Sequence, residues 1–277
     1  MPSSLKSLRL LLLLAALTTL ARAETRTDIE YGTAAGESLK LDLSVPDEDG
    51  PFPVCILVHG GGWSKGDKQK QVKPLFEPLS RAGYAWVSIN YRLAPAHKYP
   101  GSVEDVETAI RWVKAHAAQY KLDPLRIALI GESAGGHLVA LVGTQAKPDL
   151  RVAAVVPFYA PTDLATALAG ETGKPSPNAS AYFGVTADNP AARKLLHDAS
   201  PITYVHPGLP PFLLLHGTAD QLVPYDQSVK FLAKLREAKV SAELITIKDG
   251  PHGMAKWEKL DSDYARQVVA WLNKILK

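Results

Sequence analysis

The sequence predicts an α/β domain, a three-layer sandwich with a mostly parallel central sheet between two layers of helices. Three observations carry that expectation. Six short apolar runs, at 54–58, 85–90, 127–131, 153–158, 212–216 and 243–247, are continuous, as strands buried on both faces of a parallel sheet should be. Amphipathic segments lie between several of these runs, so strand and helix alternate along the chain. The 277 residues, 46% apolar and 21% charged, suffice for one large core and exclude a disordered chain.

The N-terminus reads as a secretory signal. Lys6 and Arg9 form a basic start, Leu10 to Leu20 an apolar stretch, and Ala21-Arg22-Ala23 a small-x-small cleavage site. The expected mature domain is 24–277, in a secreted or periplasmic protein; the alternative is an uncleaved anchor. Residues 1–23 hold three of the 31 basic side chains and none of the 28 acidic ones, so the mature balance is neutral. That leaves no electrostatic case for nucleic acid or an anionic membrane as partner. A mean hydropathy near zero excludes a multi-span membrane protein.

The segment Leu39-Lys40-Leu41-Asp42-Leu43 alternates, which predicts a half-exposed antiparallel edge strand. Cys55, the one cysteine, stands inside the 54–58 run and reads as a small buried hydrophobe; no internal disulfide can form. Val103, Val106, Ile110, Val113 and Ala117 share one helical face, with Ser102 at the expected N-cap and Asp105 three residues on. Phe231, Leu235 and Ala238 mark a second such face, and Tyr264, Val268, Trp271 and Ile275 a third. Residues 161–211 break the rhythm, being rich in Pro, Gly, Ser, Thr and Asn. They predict an insertion that walls the active site.

Chemistry enters at strand ends. Gly131-Glu132-Ser133-Ala134-Gly135 directly follows the 127–130 run and precedes a helical stretch, the strand–turn–helix setting of a nucleophile elbow. Ser133 is the candidate nucleophile, placed at a helix N-terminus that favours developing negative charge. His59-Gly60-Gly61-Gly62-Trp63 ends the 54–58 run, and side-chain-free glycines let backbone N–H groups approach an oxyanion. Gly61, Gly62 and Ala134 are the candidate donors. A serine needs a base, and of eight histidines His252 lies in a loop after the last apolar run, the position a base requires. Asp220, in His216-Gly217-Thr218-Ala219-Asp220 after another run, is the candidate orienting acid; Asp249 is its competitor. Trp63 and Tyr91 are candidate substrate-binding side chains, with core packing as the other reading of each.

Together these motifs, with Asn90-Tyr91-Arg92-Leu93-Ala94-Pro95 and His252-Gly253, resemble the α/β-hydrolase esterases related to hormone-sensitive lipase. They are most similar to the bacterial acetyl-esterase and feruloyl-esterase-like branch. The resemblance implies ester hydrolysis through an acyl-enzyme, without metal or cofactor, on an ester substrate that is small or borne on a polysaccharide. Two departures stand out. Glu132 occupies a position where that family more often has Asp, and only about 15 residues separate Ala23 from the alternating segment at 39–43, too few for the family's large N-terminal cap. The expectation is an open site for short or carbohydrate-linked acyl groups. Two rival readings are an arylformamidase-like amidase, which shares a His-Gly-Gly-x-Trp loop, and a binding protein that kept the fold without catalysis.

Overall fold

The computed structural model describes residues 24–167 and 176–277. The expected signal segment lies outside the described residues. Eight strands form one sheet: β1 (Glu24–Ala34), β2 (Glu37–Val45), β3 (Phe52–Val58), β4 (Ala85–Ile89), β5 (Leu122–Glu132), β6 (Ala154–Phe158), β7 (Phe212–Gly217) and β8 (Ala242–Ile247). Their order is β1-β2-β4-β3-β5-β6-β7-β8, parallel from β4 to β8 and antiparallel where β2 meets β1 and β4.

The helices are α1 (Phe76–Arg81), α2 (Gly101–Ala115), α3 (Ala134–Gln145), α4 (Leu164–Ala167), α5 (Pro177–Phe183), α6 (Pro190–Asp198), α7 (Asp226–Glu237) and α8 (Tyr264–Leu276). They divide the interior into two cores. On one face Val54, Ile56 and Val58 of β3 pack in a cluster with α2, α3 and α7; on the other Cys55 and Leu57 join α1 and α8. All seven β3 residues are buried, which explains why this run is apolar without alternation.

The 39–43 segment is not an edge strand. It lies in β2, covered by β1, and its polar residue Asp42 is buried at 2% exposure. Lys68 Nζ lies 2.9 Å from Asp42 Oδ1, Gln69 Nε2 donates to Oδ2 at 2.8 Å, and Asp28 N–H donates to Oδ1 at 3.0 Å. These partners satisfy the buried carboxylate, so at Asp42 the polar face of the strand is covered as well, while Lys40 on the same face stays partly exposed. The true edge, β1, occupies much of the interval that reads from sequence as a short lead-in.

Ser102 does not cap α2. Pro100 occupies the cap position, and Ser102 sits inside the helix with its hydroxyl hydrogen-bonded to the Tyr182 hydroxyl. Asp105 is committed elsewhere: it accepts from Arg92 N–H at 2.8 Å and Nε at 2.9 Å.

Candidate active site

The carboxyl ends of β3, β5, β7 and β8 bring the candidate residues together. Ser133 turns the chain from β5 into α3 with φ 54° and ψ −117°, a conformation that strains a residue with a side chain and is seen at functional turns. Its N–H donates to Phe158 O at 2.9 Å and its carbonyl accepts from His137 N–H at 2.9 Å, which hold the turn from both sides. A side chain at Gly135 would lie 2.2 Å from Val58 O, so glycine there lets the elbow pack on the end of β3.

Ser133 Oγ lies 2.9 Å from His252 Nε2, and His252 Nδ1 lies 2.7 Å from Asp220 Oδ2. A carboxylate only accepts, so Nδ1 carries the proton and Nε2 is left to accept from the serine hydroxyl. The Asp220 side chain is fully buried. Burial alone would push its carboxyl up, but hydrogen bonds from His216, His252 and Val223 N–H outweigh it and hold the group well below the usual carboxylate range. Asp249, the competitor, is exposed, at φ 55° in the turn before the histidine loop, with its N–H donating to Thr218 Oγ1 at 2.8 Å.

Gly61 (φ 108°), Gly62 (φ 62°) and Ala134 line the same cleft as Ser133 and His252. Among the described residues the N–H groups of Gly61 and Gly62 have no protein acceptor, and the Ala134 N–H opens α3, where no carbonyl within the helix can reach it. The cleft encloses about 460 Å³. Lys65, Gln71, Ser176 and Asn178 give it polar groups; Pro161, Leu222 and Val223 give it apolar surface. Pro161, Ser176 and Asn178 come from the 161–211 segment, which also forms the short helices α4 to α6.

The two candidate substrate-binding aromatics part company. Tyr91 does not reach the cleft: it is buried, stacks on the His59 ring at 4.3 Å, and donates its hydroxyl to His59 O at 3.0 Å. It braces the base of the glycine loop from behind. Trp63 borders the cleft but is 4% exposed. Its indole N–H donates to His137 Nδ1 at 3.2 Å and its ring stacks on Tyr182 at 5.2 Å, so α5 is packed directly against the glycine loop. His137 in turn donates from Nε2 to Ala199 O at 2.8 Å, and burial pushes its pKa down to about 4, which keeps it neutral. His59, through Nδ1 at 2.8 Å from Gly60 O, and His216 are two further histidines in the frame of the site.

Among the described residues no three His, Cys, Asp or Glu side chains stand close enough together to hold a metal ion. No helix among them is long and apolar enough to cross a membrane.

Residues 41–235 match the family model BD-FAE. The chain belongs to the BD-FAE family. This member is 35% identical over 262 residues to LipM of Mycobacterium tuberculosis, a probable carboxylic ester hydrolase, covering 90% of the chain and 60% of LipM. It is 37% identical over 230 residues to the esterase LipQ of the same organism, covering 78% of the chain and 54% of LipQ. The chain thus spans little more than half the length of these relatives. Among solved structures, a truncated carbohydrate esterase from gut microbiota superposes with a TM-score of 0.80 at 25% identity, covering 92% of this chain and 97% of that one. An acetyl ester-xyloside bifunctional hydrolase from Caldicellulosiruptor lactoaceticus superposes at 0.77 and 26% identity, covering 93% and 98%. The BD-FAE chain has the α/β-hydrolase fold, as its sequence resemblance implies.

Proposed function

We propose that this BD-FAE protein is a serine carboxylic ester hydrolase acting on short-acyl or carbohydrate-borne esters. The observation that carries the proposal is the unbroken hydrogen-bond chain from Ser133 through His252 to Asp220, open to a cleft with backbone donors. In the first half-reaction Ser133 Oγ attacks the ester carbonyl while His252 Nε2 takes its proton. Asp220 stabilises the imidazolium, and the Gly61, Gly62 and Ala134 N–H groups receive the oxyanion. The alcohol leaves with the proton from His252. Water then repeats the sequence on the acyl-enzyme and frees the acid.

The substrate class rests on the cleft and the relatives. A cleft of about 460 Å³ has room for a short acyl group together with its alcohol, and the polar groups of Lys65, Gln71, Ser176 and Asn178 suit the hydroxyls of a sugar. The carbohydrate esterase and the acetyl ester-xyloside hydrolase named above support the same direction. Export is part of the proposal: cleavage after Ala23 would leave Glu24, the first residue of β1, at the mature N-terminus.

The test is a parallel assay of p-nitrophenyl acetate, acetylated xylan, methyl ferulate and N-formylkynurenine, with Ser133→Ala alongside. Hydrolysis of the acetyl or feruloyl esters that is lost in S133A, with fluorophosphonate labelling of Ser133, is the expected result. Preference for the formamide would overturn the ester reading, and an unreactive Ser133 would make the fold a binding scaffold.

A further inference from the structure

We infer that Glu132 and Tyr159 form one buried clamp that positions both the oxyanion loop and the histidine loop on the nucleophile turn. The inference rests on the hydrolase reading above and adds to it two positioning residues outside the Ser–His–Asp chain.

Glu132 precedes Ser133, yet its side chain turns inward and the residue is 5% exposed. Its Oε1 accepts the Gly60 N–H at 2.7 Å, across 72 residues of sequence. Gly60 stands immediately before Gly61 and Gly62, so this bond fixes where the candidate oxyanion donors begin. The approach is close: a side-chain carbon on Gly60 would lie 2.1 Å from that same oxygen. The loop backbone is therefore seated on the carboxylate.

Tyr159, one residue past β6, reaches the third loop. It is 1% exposed, with φ 36°. Its hydroxyl accepts the Met254 N–H at 3.0 Å, two residues beyond His252. Its ring lies edge-on to the His252 imidazole, with centroids 4.7 Å apart at 62°. Having accepted from Met254, the hydroxyl has its own proton to place, and the clamp assigns that proton to the Glu132 carboxyl beside it. The buried side chains leave no polar atom unpartnered among the described residues.

The chemistry of the junction selects a carboxylate. Both groups presented to it, the Gly60 N–H and the Tyr159 O–H, are donors, and an ionised carboxyl is acceptor-only. An amide of the same shape would keep one acceptor and turn an NH₂ group towards the second donor. The two side chains thus tie three loops, from β3, β6 and β8, to the strained turn at Ser133. Glu132 borders the cleft, but its Oε1 is spent on the Gly60 N–H, so loosening the clamp should act mainly by misplacing the donors and the base.

The experiment compares Glu132→Gln, Tyr159→Phe, the double variant and Ser133→Ala on p-nitrophenyl acetate, with circular dichroism and melting curves to select folded protein. Each single variant is expected to lose about tenfold or more in kcat, on the scale of a misplaced oxyanion donor, with KM changed by less than about threefold. The double variant should lose no more than the worse single one, as members of one unit do. Single variants that fold and keep kcat within about twofold of the parent, or losses that multiply in the double variant, overturn the clamp while an inactive S133A leaves the hydrolase reading standing. Turnover retained in S133A overturns that reading and the clamp with it.

Discussion

His216 Nε2 stands 3.3 Å from Asp220 Oδ2, the same oxygen that accepts from His252 Nδ1. His216 is wholly buried at the end of β7. Its Nε2 donates to Val223 O at 2.9 Å and its Nδ1 accepts from Ser228 Oγ at 2.8 Å. The ring therefore holds the 217–223 loop against α7 and, with it, Asp220, the acid of the proposed triad. His216→Ala should lower stability by about 2–4 kcal/mol, since the Val223 carbonyl and Ser228 hydroxyl lose their partner. Chemical denaturation measures this; an unchanged midpoint would show that the ring holds nothing.

Asp220→Asn and Asp249→Ala separate the two carboxylates. The first should lower kcat about 10³–10⁴-fold, because an amide can donate to Nδ1 and favour the wrong imidazole tautomer. The second removes an exposed group on a turn and should leave kcat within about twofold. Steady-state kinetics on one activated ester decides both.

These residues also show what was legible in the sequence. Ser133, Asp220 and His252 each end a strand or follow one in a local motif, so their order and context sufficed to propose them. Glu132 and His216 are legible only as members of local motifs, and Tyr159 not at all, because their contacts join segments that the sequence does not place side by side. Tyr91 looked like a pocket residue because it follows β4, but the direction of its side chain depends on the His59 ring it stacks on. In the fold, β1 is not legible because an edge strand with mostly exposed side chains carries no apolar run: ETRTDIEYGTA buries only Tyr31 fully. Asp42 misled for the opposite reason, as its partners Lys68, Gln69 and Asp28 come from elsewhere in the chain.

A pH series tests the charge state of the clamp. Burial, against the opposing pull of Tyr159, the Gly60 N–H and His252, raises the folded-state pKa of Glu132. The unfolded value is about 4.3, so between the two the folded chain binds the extra proton and stability falls as pH rises. Glu132→Gln removes that dependence. Its Tm relative to the parent should therefore rise between acid and neutral pH, even as its activity falls. Asp220 has the opposite sign: its contribution is present above about pH 3.9 and lost as pH falls below it, so Asp220→Asn should narrow the gap to the parent only in strong acid.

Gly61→Ala tests the oxyanion loop. At φ 108° a side chain is strained, and its Cβ would meet Lys65 O at 2.0 Å, which only backbone movement can relieve. A loss of about 10²–10³-fold in kcat is expected for a displaced donor. Fluorophosphonate labelling of Ser133 should slow in parallel, since it builds charge on the same donors; labelling at the parental rate would place the oxyanion elsewhere.

Arg92 and Asp105 form a pair at 10% and 1% side-chain exposure, joining the β4–α2 connection to α2. Asp105→Ala should destabilise by about 3 kcal/mol, because it leaves the largely buried guanidinium with only the exposed Glu104 carboxylate, 3.2 Å away, as counter-charge. Thermal or denaturant melting reads it directly.

Cys55 offers an internal clock. It is the sole thiol of the chain and sits at 0% exposure in the middle of β3, between two parallel neighbours. Burial also pushes the thiol up, away from its nucleophilic form. A disulfide reagent added to the intact protein must therefore wait until the centre of the sheet opens. The rate of colour release at saturating reagent counts those openings one molecule at a time, and needs neither substrate nor denaturant.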